Sequence, residues 1–297
     1  VAQAVGSEDE SEVRSYLLRA LFLGFSAGLL IFLLRNPLID FGFWLSPASI
    51  EVEELAEKYI SIRVWSAPAA ISLYGIVGWL IALERTKSVL VLQLFMNGLN
   101  VLLDIWFVLG LNWEIEGVAI ATAIAEVSAL ILRLFLCYDR FKDNSWPSLQ
   151  AIFSTERLKN MLSINLDILF RSIMLEAIFV SFLLYGGKFG DVKLAANQIL
   201  LQFLHIAAHG LDGFAFAAET LVGQAFGRKD RTVLRKSVKV TSKLAFLLCF
   251  IMAIIFFFIG SSLIDVMTTA EDVRSEAKSY IVFIVLVPIL GVSAYML

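Results

Sequence analysis

Charged side chains are scarce in this sequence, in which Asp, Glu, Lys and Arg together make up only 17% of 297 residues. Cysteine is scarce as well, since the sequence contains only Cys137 and Cys249. Two cysteines are too few for a disulfide framework or a cysteine-based metal motif. Hydrophobic residues, in contrast, occupy 59% of the positions. This balance excludes an ordinary soluble domain and predicts a protein whose solvent is a lipid bilayer.

Eight stretches of the sequence are long and apolar enough to cross a membrane, since a spanning helix needs about 20 mostly apolar residues. They lie near residues 16–34, 59–83, 88–111, 115–136, 161–186, 194–226, 244–264 and 279–297. The longest connections, 35–58 and 137–160, are too short to hold a soluble domain. We therefore predict an all-α polytopic membrane protein with eight spanning helices, whose function lies within the membrane.

Basic residues indicate how these helices are oriented. Most Lys and Arg side chains that flank the helices fall on one side, and the largest group runs from Arg228 to Lys243. Positive charge is retained on the cytoplasmic side, so this group and the segment 139–156 are predicted to be cytoplasmic. A basic run can also bind nucleic acid, but beside a membrane helix we interpret it as a topology anchor and predict no nucleic-acid partner. The predicted location is the plasma membrane, a bacterial inner membrane, with an organelle membrane as the alternative.

A repeat relates the two halves of the sequence. Residues 1–9 read VAQAVGSED, and residues 222–230, which lie 221 positions later, read VGQAFGRKD. The same offset relates Tyr59 to Tyr280. Six spanning stretches separate the two copies, and because six is an even number, both copies enter the membrane with the same orientation. The repeats are therefore predicted to be parallel.

The repeat also predicts the domain organisation. Extending the offset to both ends gives a twelve-helix protein, of which this sequence lacks helices 1, 11 and 12 and most of helix 2. We predict two parallel six-helix bundles. Residues 1–138 form an N-terminal lobe with the end of helix 2 and helices 3 to 6, residues 139–156 a cytoplasmic linker, and residues 157–297 a truncated C-terminal lobe with helices 7 to 10.

Polar side chains at membrane depth are costly, so they normally face a cavity or a partner. Asn100 and Asp104 lie one turn apart on the third stretch, and Thr122 and Glu126 lie one turn apart on the fourth. Counted from the turn near Asn112, all four fall within a band of roughly 9 Å along the helix axes. We predict that they form one hydrogen-bonded site for a proton or another coupling ion. The structural alternative, in which Asn100 and Thr122 only hold the two helices together, stays open.

A second set of polar residues follows helical spacing along the sixth stretch, and we expect this stripe to line water. Its members are Gln198, Gln202, His205, His209, Asp212 and Glu219.

A charge cluster is predicted beside this stripe, because Asp167 on the fifth stretch falls at the depth of Asp212 and Arg171 falls between His205 and His209. Arg171 either neutralises the carboxylates statically or takes part in coupling, and both interpretations stand. His205 and His209, at i and i+4, could bind a metal ion, but no third ligand is evident. We interpret them as cavity-lining and predict no metal site.

Six segments carry a resemblance to a known family. In order they are VAQAVGSED, RVWSAPA, NVLLDIWFVLGL, EGVAIATAIAE, NLDILFRS and LDGFAFAAETLVGQAFGRKDR. In this order they resemble the multidrug and toxic compound extrusion (MATE) family, specifically its DinF-like branch. The resemblance implies a two-lobe antiporter that expels organic cations, drugs or other amphipathic solutes in exchange for protons or sodium by alternating access. It implies no enzyme chemistry and no cofactor beyond the coupling ion.

The resemblance also suggests which residues couple transport to the ion. In the family a helix-1 aspartate cooperates with an Asn and an Asp of helix 5 and a Thr of helix 6, and the last three match Asn100, Asp104 and Thr122. The helix-1 aspartate is missing from this sequence. The expected partners are a small-molecule substrate and the bilayer, and the protein is expected to be a monomer. Two alternatives stay open: a flippase for lipid-linked oligosaccharides, and a membrane-embedded enzyme that would depend on His205 and His209.

Overall fold

A computed structural model describes residues 1–45, 49–137, 141 and 146–296. These residues are almost entirely helical, and no β-strand occurs among them. Seven of the described helices are long and apolar enough to span a membrane, and an eighth span is present if Glu271–Ser279 and Ile281–Ala294, which meet at a bend of 48°, are counted together. The structure confirms the prediction of an all-α integral membrane protein with up to eight spans. The chain divides into two compact units, residues 1–154 and residues 155–297.

The helices of the N-terminal unit follow one another with short connections. They are α1 (Ala2–Gly6), α2 (Glu10–Leu33), α3 (Arg35–Leu45), α4 (Ile50–Arg63), α5 (Ala67–Ala82), α6 (Thr86–Asp104), α7 (Glu114–Cys137) and α8 (Leu149–Ile152). A 3-10 turn, Val64–Ser66, joins α4 to α5. A π-helical segment, Ile105–Gly110, continues α6.

The connection 35–58, to which the hydropathy pattern assigned no structure, is helical in its described part. It contains α3 and most of α4, while residues 46–48 lie outside the described residues. Glu51 and Glu53 stand in the first turn of α4, where carboxylates are favourable at the positive end of the helix dipole. Of the predicted linker 139–156, residues 139–140 and 142–145 also lie outside the described part. The short helix α8 lies in its second half, and its last two residues begin the next helix, at Thr155.

Helices α2 and α5 approach each other backbone to backbone. A Cβ atom added at Gly28 would lie 2.3 Å from the Cα atom of Pro68, and one added at Gly24 would lie 3.1 Å from the Cα atom of Ser72. Only glycine permits an approach this close. The same two helices also share a hydrogen bond: the indole of Trp79 on α5 is fully buried and donates to the Val13 carbonyl of α2 at 2.8 Å.

Three arginines of this unit, Arg14, Arg19 and Arg133, are buried, and the sequence patterns identified none of them as buried. Arg19 of α2 donates from Nε to the carbonyl of Ile152 at 3.0 Å and from Nη2 to that of Ala151 at 2.8 Å, and it pairs with Glu12 at 3.0 Å. These bonds hold α8 against α2. Arg133 of α7 donates to the Leu73 carbonyl and to the Gln93 side chain, both at 3.1 Å, and so ties α7 to α5 and α6.

The C-terminal unit is built from α9 (Thr155–Gly187), α10 (Asp191–Gly227), α11 (Arg231–Met267), α12 (Glu271–Ser279) and α13 (Ile281–Met296). Its core lies between α10, α11 and α13, where the rings of Phe203 and Phe256 meet edge to face at 5.3 Å. No residue in the most apolar part of α9 is buried by the rest of the described chain.

The turn before α2 and the turn before α11 have the same conformation. Glu8 and Lys229 both adopt a left-handed backbone, with φ of 59° and 57°. The following residue caps the next helix in each copy: the Asp9 carboxylate accepts one backbone N–H at 2.9 Å, and the Asp230 carboxylate accepts two, at 2.8 and 3.1 Å. These paired residues are 221 positions apart, so the structure confirms the repeat at this turn.

Candidate functional site

Asn100 and Thr122 face each other across α6 and α7, as the spacing predicted. The Asn100 Nδ2 atom donates a hydrogen bond to Thr122 Oγ1 at 3.2 Å, and Thr122 Oγ1 donates to the carbonyl of Val118 at 2.9 Å. Both side chains are half-buried. The contact ties the two helices together and also places two polar groups at a defined point.

Asp104 lies one turn beyond Asn100, where α6 changes from α-helix to π-helix. Its Oδ1 atom is buried and has no hydrogen-bond partner among the described residues. A buried oxygen of this kind calls for an explanation, because nearly all buried polar atoms in proteins are paired. π-Helical turns are also frequent at functional sites. A bound proton or cation at Asp104 would satisfy this oxygen.

Glu126 has a different partner from the other three residues of the predicted site. Its two carboxylate oxygens each accept a hydrogen bond from Arg63 of α4 at 2.8 Å, and Arg63 also donates to Ser66 Oγ at 2.9 Å. The ion pair is mostly shielded, with 24% of the Arg63 and 14% of the Glu126 side chain exposed. Glu126 lies one turn from Thr122 on α7. The structure thus adds Arg63, the partner of Glu126, to the predicted polar site.

The sequence patterns identified neither Arg63 as a site residue nor Glu126 as its partner. The available signal was its depth in the membrane, where a cation normally pairs with a carboxylate. Sequence spacing relates residues within one helix or one hairpin, whereas Arg63 and Glu126 are separated by two intervening helices.

The polar stripe of α10 lies on a face that the rest of the C-terminal unit leaves uncovered. Gln202, His205, His209 and Glu219 are exposed and Asp212 is half-buried, whereas the opposite face is buried. His209 donates from Nδ1 to the carbonyl of His205 at 2.6 Å. The ring of His205 lies 5.9 Å from that of Phe179 on α9.

The predicted charge cluster is not assembled through ion pairs. Asp167 and Arg171 are exposed on α9, and among the described residues Arg171 forms no salt bridge with Asp167 or Asp212. Within the same residues there is no group of three or more His, Cys, Asp or Glu side chains that could hold a metal ion.

Comparison with known proteins identifies the family. The sequence pattern named MatE matches residues 1–106 and 168–295, which together are most of the chain. The chain belongs to the MatE family. Within it, the chain is 30% identical over 298 residues to the DNA damage-inducible protein F of Escherichia coli, covering all of this chain and 65% of that protein. This similarity supports the DinF-like branch.

More distant MatE relatives agree with this assignment. A probable multidrug resistance protein NorM of Bacillus anthracis is 24% identical, covering 96% of this chain and 64% of that protein. The chain spans about two thirds of the length of these relatives. Among solved structures, an outward-facing multidrug resistance MATE transporter superposes with a TM-score of 0.86 over 99% of this chain and 67% of that one, at 21% identity. The fold is therefore the MATE fold.

Proposed function

We propose that this protein is a secondary antiporter that exports organic cations, drugs or other amphipathic solutes in exchange for protons, by alternating access. The observation that supports this most directly is Asp104, with its unpartnered buried oxygen at the junction of an α-helix and a π-helix. A bound cation would supply the interaction that this oxygen lacks. Water or substrate that reached the site could supply it instead, and the cation would then be released. Membership of the MatE family supports a transport role for such a group.

The neighbours of Asp104 suggest how the site works. Asn100, one turn away, has its amide oriented by Thr122, so it presents a fixed dipole near Asp104 rather than a freely rotating side chain. We propose that Asp104 takes up the coupling proton and that Asn100 and Thr122 position it. Glu126 contributes as the ionised partner of Arg63.

The exposed face of α10 supplies the polar surface that substrate would meet in the C-terminal unit. Gln202, His205 and His209 lie there, together with Glu219. In this proposal the two histidines are lining residues and no catalysis takes place. The protein would act in a plasma membrane as a monomer.

The flippase alternative depended on a basic cavity, and the N-terminal unit does not favour it. Arg63 is neutralised by Glu126, and Arg133 donates to Leu73 and Gln93 in the interior. We therefore keep the antiporter as the proposal.

The test is efflux of a fluorescent organic cation from proteoliposomes that contain the complete natural protein. Under an imposed pH gradient, Asp104→Asn should abolish gradient-driven efflux, a loss of at least about 100-fold, because the amide cannot carry the proton. Thr122→Ser keeps the hydroxyl and serves as the matched control, with nearly normal efflux expected. If Asp104→Asn transported normally, Asp104 would not be the coupling site. If only a sodium gradient drove efflux in the unmodified protein, coupling to protons would be wrong.

A further inference from the structure

Helix α11 is longer than a bilayer requires. It has 37 residues, or about 55 Å at 1.5 Å per residue, whereas the hydrocarbon core is about 30 Å thick. The apolar run of α11 begins at Leu244. Residues 231–243 therefore lie beside the headgroups of the leaflet in which α11 begins.

Four cations follow one another along this segment at four-residue spacing. They are Arg231, Arg235, Lys239 and Lys243, here called the cation stripe. All four are exposed, while Thr241 on another face of the helix is buried. No Asp or Glu occurs within residues 231–243. None of the four cations forms an ion pair with any other residue that the structure describes.

The first repeat shows that the turn before the helix forms without most of these charges. The positions 221 residues earlier are Glu10, Arg14, Leu18 and Phe22 of α2. The turn before α2 nevertheless has the same left-handed residue and the same aspartate cap. Only Arg14 of the four counterparts is a cation, so three of the four positive charges of α11 are absent from a repeat that forms the same turn.

We propose that the cation stripe binds the phosphate groups of anionic phospholipids in the leaflet beside the start of α11. Clusters of Lys and Arg next to a spanning helix attract anionic lipids, and long basic side chains carry their charge to the headgroup level. Val233, Val238 and Val240 are 39%, 41% and 46% exposed beside the stripe. These apolar side chains suit the glycerol and upper acyl region of a lipid and would gain nothing from a nucleic acid.

The test measures lipid preference around the complete natural protein in phosphatidylcholine bilayers. Trace spin-labelled phosphatidylglycerol or phosphatidylcholine reports the relative association constant by electron paramagnetic resonance. We expect phosphatidylglycerol to be preferred, and R235Q/K239Q to reduce that preference by about fivefold or more, since each cation near a membrane surface contributes a factor of that order. The quadruple variant R231Q/R235Q/K239Q/K243Q should remove it.

Two controls separate the stripe from general charge. The variant R85Q/K87Q removes the same charge from the turn before α6 and should leave the preference nearly unchanged. The exchange R231K/R235K/K239R/K243R keeps the charge and should keep the preference. In the unmodified protein the preference should also fall as salt rises, because exposed charges are screened.

Three results would overturn the proposal. The first is an unchanged preference in the quadruple variant. The second is a preference that high salt leaves intact. The third is equal association of the two lipids together with binding of a short double-stranded DNA that the quadruple variant loses, which would make the stripe a nucleic-acid surface.

Discussion

The repeat relates α2 and α5 to α11 and α13, but the two helix pairs make contact through different side chains. In the N-terminal unit, α2 meets α5 where Gly28 faces Pro68 with no side chain between the backbones. In the C-terminal unit, α11 meets α13 through Ala245, Cys249 and Val292, which are buried together. Cys249 stands 221 positions after Gly28. The repeat therefore keeps the positions that touch, while the size of the side chains sets how closely the helices approach.

The largest effect is expected at the glycine. Gly28→Val should destabilise the protein by about 3 kcal/mol or more, because even its Cβ would overlap the Pro68 backbone. Cys249→Val, at the corresponding position of the other unit, should cost under about 1.5 kcal/mol since the volume changes little. The thermal unfolding of the purified variants measures both. Gly78→Val, where nothing lies within 4 Å of the added Cβ, is the control. Equal losses at positions 28 and 249 would contradict the comparison.

A smaller difference is expected between the ion pairs of the two units. Glu126→Gln leaves Arg63 shielded without a neutralising charge and should cost about 3 kcal/mol. Asp265→Asn breaks a pair with Lys278 whose side chains are 43% and 37% exposed, and should cost under about 1 kcal/mol. Unfolding in detergent measures the two.

The double variant R63Q/E126Q checks the reason for that difference. Removing both charges should restore part of the stability that Glu126→Gln loses, because no uncompensated cation remains. A double variant as unstable as the sum of the two single variants would show that the charges act independently.

The helix caps should be equivalent in the two repeats. Asp9→Ala and Asp230→Ala should each cost about 1 kcal/mol, because each removes the side-chain acceptor for the first amides of α2 or α11. Amide hydrogen exchange at these helix starts measures the loss. A loss of stability at only one position would show that the two caps, despite their similar geometry, stabilise their helices by different amounts.

The smallest effect concerns the left-handed residues before the caps. Glu8→Gly and Lys229→Gly should each stabilise the turn by under about 1 kcal/mol, since glycine adopts a positive φ without strain. Thermal unfolding again applies, and Glu8→Val and Lys229→Val should shift it the other way.

Hydropathy and spacing predicted the parts of the structure that local sequence controls. The eight spans follow from apolar runs, and the repeat at Asp9 and Asp230 follows from two similar segments. The contact between Asn100 and Thr122 follows from spacing across one tight turn. The first part of α4 was not anticipated, because it carries four glutamates and a search for apolar runs passes over it. Good helix formers nevertheless build it.

The remaining features depend on contacts between helices that are distant in sequence. Arg63 finds Glu126 across two intervening helices, and Arg19 finds the carbonyls of Ala151 and Ile152 more than 130 residues later. Spacing along the chain contains no information on such pairs. The charge cluster around Arg171 was predicted from depth alone, and depth does not specify which faces of two helices turn towards each other.

The contact between α2 and α5 also limits how the N-terminal unit can move. With two backbones in direct contact at Gly28 and again at Gly24, there is no layer of flexible side chains over which one helix could slide past the other. Any rearrangement during transport would have to carry both helices together. Within the N-terminal unit, α2 and α5 would therefore be displaced together as a single rigid body.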